Sequence, residues 1–123
     1  MSFAISFYHD SRFIDFWDSL IRGYSISNIY EINGPGDVWR SVNSIPDIPR
    51  VIFSPVDAKY MPGETKLEDF QHGDFLYVFG SDEFHNPYID AIDYIYIPIR
   101  SGVSLWSVQA AAIVLYDRSV KYG

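Results

Sequence analysis

Two short segments hold the residues best suited to chemistry. One reads Gly80-Ser81-Asp82-Glu83-Phe84-His85, the other Arg100-Ser101-Gly102-Val103-Ser104-Leu105-Trp106. Small residues at Gly80, Ser81, Ser101 and Gly102 let main-chain amides and carbonyls approach a flat ligand, which nucleotide-like cofactors require. Asp82 and Glu83 can orient a reacting group, although surface solvation is the commoner fate of such acids. Arg12 and Arg100 offer guanidinium forks for phosphate or carboxylate. His9 and His85 follow apolar segments, and imidazole is the side chain that most readily exchanges a proton near neutral pH. With no third ligand at helical or hairpin spacing, no metal centre is expected. His72 falls in a polar turn and is expected to be solvated.

The elements that must position these residues are legible as alternating patterns. Segments rich in β-branched and aromatic residues recur at 3–8, 28–32, 50–54, 75–79 and 94–99. Each is short, bounded by turn residues and apolar on both faces, as strands buried between layers are. Between the first two, Phe13, Phe16, Trp17, Leu20 and Ile21 recur at helical spacing, with Asp10 or Ser11 as cap and Gly23 as terminator. Asp37 can open a short helix, residues 67–70 a single turn, and Asn86-Pro87 another helix start. The last helix, capped by Ser104 or Ser107, is apolar nearly all round and is expected to be buried on more than one side. Strands alternating with helices predict an α/β domain: a parallel five-stranded sheet between helices, with ligands outside the carboxyl ends of the strands.

Length and composition bound the function. A chain of 123 residues, 48% hydrophobic and 18% aromatic, suits one domain spanning 1–123, with no appended RNA-binding domain expected. The net charge of −7 excludes nucleic-acid binding by charge alone and leaves only a local basic patch. No cysteine is present, which excludes disulfides, thiolate zinc sites and a cysteine nucleophile. The apolar stretches are too short to span a bilayer and no basic-then-apolar leader opens the chain, so a soluble, cytoplasmic protein with no membrane partner is expected.

The C-terminal third carries a more specific signal. Residues 73–118 contain Val78-Phe79-Gly80, Ile97-Pro98-Ile99, Ser104-Leu105-Trp106 and an alanine-rich run from Ala110 to Tyr116-Asp117. In order and spacing this resembles the SPOUT superfamily, specifically the SpoU-type RNA methyltransferases with an α/β trefoil knot at the C-terminus. The resemblance implies S-adenosylmethionine held largely by main-chain groups. The cofactor-binding positions it implies are Phe79, Gly80 and Ser81, then Ile97 and Ile99, then Ser104, Leu105 and Trp106, bordered by Ser54 and Pro55. It also implies an RNA substrate, methyl transfer to a ribose 2′-hydroxyl, and a homodimer formed through the last helix.

Acceptor-side positions depart from that pattern. The family's N-x-G-x-x-x-R places Ser11, Phe13 and Trp17 at its three fixed positions, so the arginine is missing and Arg12 is the nearby replacement. The asparagine of S-L-N is Trp106, and the usual serine position is Val108, which leaves Ser107 as a shifted hydroxyl. The familiar N-E-G becomes Ser81, Asp82, Glu83. Arg12, Asp82 and Ser107 are therefore the candidate catalytic set.

The aromatics Trp17, Trp39, Tyr60, Tyr88, Trp106 and Tyr122 have two readings, base stacking or packing; helical spacing favours packing for Trp17, and both stay open for Trp106. A dimer groove lined by Arg12, Arg22, Arg40 and Arg100 would reconcile an acidic chain with RNA. Two other functions remain in view: a non-catalytic binding module on the same knotted scaffold, and an unrelated nucleotide-binding domain of flavodoxin-like type.

Overall fold

The computed structural model describes residues 3–32, 48–53, 65–80, 91–100 and 105–122. Strands β1 (Ala4–Tyr8), β2 (Asn28–Ile32), β3 (Arg50–Phe53), β4 (Thr65–Lys66), β5 (Leu76–Phe79) and β6 (Asp93–Tyr96) form one sheet in the order β2-β1-β5-β3-β6-β4. Every pairing in it is parallel. The fold is thus α/β, with six strands where five are expected. The sixth, β4, has two residues and no alternation to read. It is anchored by the Thr65 hydroxyl, which donates to the Asp93 carboxylate at 2.9 Å. β6 also runs earlier than expected, ending before Ile97; Pro98, lacking an N–H and restricting its predecessor, closes the ladder.

Helix α1 (Ile14–Gly23) starts later than its capping residues suggest, because Asp10 is used in a turn instead. Its carboxylate accepts the Arg12 N–H at 3.0 Å and its carbonyl accepts the Phe13 N–H at 2.9 Å. Gly23 is the last helical residue, as expected, but it is not the left-handed position. The left-handed position falls on Ser25, φ 53°, with Ser25 N–H bonded to Arg22 O and Ile26 N–H to Ile21 O, the double bond of a Schellman stop.

Both described helices lie on one face of the sheet. Phe13 and Trp17 of the α1 region, and Val108, Ala111, Val114 and Leu115 of α2 (Ser107–Lys121), pack with Ile5, Phe7, Val51, Phe53, Tyr77, Phe79 and Ile95. Trp17 stacks on Phe7 at 4.2 Å and Phe53 on Phe79 at 4.9 Å. Burial of each such ring contributes about 1.5 to 3 kcal/mol. Ala4, Ile52, Leu76 and Val78 form a second cluster on the opposite face. The short helix expected from Asp37 and the start at Asn86 lie outside the described residues.

Among the described residues, helix α2 buries one face, through Val108, Ala111, Val114 and Leu115. Ile113, Tyr116 and Val120 are exposed, as is Phe16 of α1, which the helical spacing had placed on the core side. No knot is shown, and residues 81–90 and 101–104, where the threading would lie, fall outside the described residues.

Candidate functional site at the carboxyl edge

Topology selects one place on the sheet. The chain leaves β1 towards β2 on one side and leaves β5 towards β6 on the other, while β1 and β5 are neighbours. In open α/β sheets ligands bind outside the carboxyl ends of such a strand pair, which makes this edge the candidate site. Ser6 pairs with Val78, and extending that register by two residues sets Tyr8 level with Gly80.

Around this edge the N-terminal ends of both helices meet the strand ends. The Ser107 hydroxyl, on the first residue of α2, donates to the Gly80 carbonyl just past β5. The helix start is closed by Gln109, whose side-chain oxygen accepts the Trp106 N–H at 2.8 Å; Ser107, expected as a cap, bonds elsewhere, and Ser104 is outside the described residues. The Trp106 indole rests on Phe13, centroids 4.5 Å apart, and remains 51% exposed.

Arg12 is committed to its neighbour. Its Nη2 lies 2.6 Å and its Nε 3.0 Å from the Asp10 carboxylate, and its guanidinium lies 5.1 Å from the Phe13 ring centroid. The hydrogen bond from Arg12 holds the Asp10 carboxyl below its ordinary range, which makes Asp10 a weakened base. Next to it, His9 Nδ1 is hydrogen-bonded to Glu31 Oε1. Glu31 is on β2, paired with Phe7 of β1, so two residues far apart in sequence meet across adjacent strands.

Of the residues assigned to cofactor binding by sequence, Phe79 has its side chain buried in the core and presents only main chain, while Gly80 has no side chain at all. Ile97, Ile99 and Leu105 are half-buried and Trp106 is at the rim. Ser54, Pro55, Ser81, Asp82 and Ser104 lie outside the described residues, as do Glu83 and His85. The structure brings together Arg12, Trp106, Ser107 and Gly80 along the carboxyl edge. What sequence reasoning missed is the His9 and Glu31 pair; the available signal was a histidine just after one strand and an acid near the end of the next.

His72 is a correction. Its side chain is fully buried at the opposite edge, not solvated. Nε2–H donates to Asp117 at 2.7 Å, because a carboxylate can only accept, and Nδ1 accepts the Tyr77 hydroxyl at 2.7 Å. Lys121 completes the chain, 3.0 Å from Asp117 and 2.7 Å from the Leu67 carbonyl. Burial pushes the His72 imidazole below its ordinary value against the opposing pull of Asp117, and pushes the Tyr77 hydroxyl up to about 12. This network pins the end of α2 and is remote from the candidate site.

Among the described residues no three His, Asp or Glu side chains gather to hold a metal, and no helix is long and apolar enough to cross a membrane. No known protein family and no curated protein matches this sequence.

Proposed function

We propose that this chain is an S-adenosylmethionine-dependent RNA methyltransferase of SPOUT type with a knotted C-terminus, acting on a ribose 2′-hydroxyl. One observation carries the reading: the hydrogen bond from Ser107 to Gly80 joins the Phe79-Gly80 loop to the Leu105-Trp106 helix start at the switch-point edge. Those are the segments through which the resemblance implies cofactor binding.

The residues present fit such a ligand. Phe79 and Gly80 leave only main-chain polar groups at the end of β5, and a half-exposed Trp106 leaning on Phe13 does not plug the edge. Phe79, Gly80, Ile97, Ile99 and Leu105 would hold the cofactor, with Ser54, Pro55, Ser81 and Ser104 added by the resemblance. S-adenosylmethionine, when bound, supplies an electrophilic methyl group on a sulfonium. The protein's task is to align the acceptor in line at about 3 to 3.5 Å and to assist loss of its proton.

The partner reading rests on α2. Ile113, Tyr116 and Val120 follow helical spacing and are 41%, 64% and 66% exposed, an apolar stripe suited to a second copy of this chain. A groove across two copies would gather arginines for RNA despite the acidic total.

The Arg12–Asp10 ion pair favours a second reading, a binding module without catalysis, because it occupies the guanidinium nearest the missing family arginine. Calorimetry with S-adenosylmethionine, followed by methyl incorporation into total RNA, separates the two. Binding with incorporation supports the enzyme; no binding at millimolar cofactor removes it, and binding without incorporation leaves the module.

A further inference from the structure

We propose that His9, oriented by Glu31, is the base that takes the acceptor's proton, an inference that rests on the methyl-transfer reading above. His9 follows β1, one of the two strands that meet at the switch point, and Glu31 lies on β2, the neighbour of β1 on its other side.

The geometry assigns the proton within the pair. Glu31 is a carboxylate and can only accept, so the hydrogen between them belongs to His9 Nδ1. In the neutral ring that leaves the lone pair on Nε2, which has no partner among the described residues. His9 and Glu31 side chains are 46% and 37% exposed, so an acceptor arriving from solvent can reach the ring. This is the arrangement in which a carboxylate orients an imidazole and stabilises the cation it becomes.

Among the described residues, the other groups at this edge are poorly placed for that task. Asp10 is drawn down by Arg12, and Arg12 itself has no acceptor atom. Ser107 gives its hydrogen to Gly80. Among the described residues, His9 is therefore the group left with a free acceptor nitrogen at this edge.

The step balances without a further reactant. The acceptor oxygen forms a bond to the methyl carbon, the carbon–sulfur bond breaks with its electron pair staying on sulfur, and the hydroxyl proton passes to His9 Nε2. The imidazolium so formed faces the Glu31 carboxylate through Nδ1, and solvent removes the proton afterwards.

The test uses the full chain, total RNA and methyl-labelled S-adenosylmethionine, with His9→Gln, Glu31→Gln and Glu31→Asp beside the wild type. His9→Gln should lower the single-turnover rate by about 100-fold or more with cofactor affinity and thermal midpoint unchanged. Glu31→Gln should lower it by about 10-fold, and Glu31→Asp should restore part of that loss. A second readout needs no turnover: long-range proton–nitrogen NMR of the His9 ring should show the Nδ1–H tautomer in the wild type and a shift towards Nε2–H in Glu31→Gln. Full activity in His9→Gln, or a wild-type ring protonated at Nε2, overturns the role of His9 and leaves methyl transfer standing. A wild type that binds cofactor yet transfers no methyl to RNA overturns the methyl-transfer reading, and the base falls with it.

Discussion

The hydroxyl of Ser107 donates to the carbonyl of Gly80, tying the first residue of the last helix to the residue that follows β5. The bond is partly buried and spans 27 residues of chain. It fixes where the helix begins relative to the strand end, and therefore the shape of the edge between them. Ser107→Ala leaves a part-buried carbonyl without its partner. The expected outcome is a loss of about 1 to 2 kcal/mol in urea unfolding, with weaker binding of S-adenosylhomocysteine by calorimetry. Ser107→Thr, which keeps the donor, should recover most of both.

Acidification should loosen the opposite edge through His72. Its folded imidazole is held below the ordinary 6.5, chiefly by burial. The unfolded chain therefore binds this proton first as the pH falls. The contribution is intact above about 6.5 and is lost progressively below it, until the folded ring protonates too. Comparing unfolding free energies at about pH 7.5 and about pH 5.5 should show a smaller drop for His72→Gln than for the wild type. Carboxylates titrate in both proteins, so the difference isolates the histidine; equal drops would reject the assignment.

The end of α1 offers a stabilising change. Ser25 sits at φ 53°, a conformation that glycine adopts without the steric cost a side chain carries. Ser25→Gly keeps both Schellman hydrogen bonds and should raise stability by up to about 1 kcal/mol, measured by the denaturation midpoint at unchanged slope.

Charge on the exposed stripe of α2 should break self-association. If two copies meet through Ile113, Tyr116 and Val120, Tyr116→Glu buries an unpaired carboxylate in that contact while leaving the monomer core untouched. Sedimentation should give a dimer for the wild type and a monomer for the variant. A monomeric wild type at micromolar concentration ends the dimer reading.

Much of the scaffold was readable because its signals are local. Residues 28–32 match β2 as read, and the 75–79 and 50–54 segments each differ from β5 and β3 by one residue at an end. Their apolar runs and turn boundaries report burial directly. β4 was not readable, since a two-residue strand is defined by its neighbour β6. The helix ends were misread for a related reason. Asp10 and Ser107 have the composition of caps, but each found a partner elsewhere, in Arg12 and Gly80.

The sequence by itself determined an acidic, cysteine-free α/β chain with a glycine-bearing loop after an apolar strand and an apolar terminal helix. Those follow from residue type and spacing, which act over one or two turns. Only the tertiary structure decided that β1 and β5 lie side by side, that Glu31 reaches His9, and that His72 is buried between Tyr77 and Asp117. Each of these joins residues through the sheet order or the docking of α2. Such contacts depend on which elements become neighbours, and pairing between distant segments leaves no periodic trace in the chain.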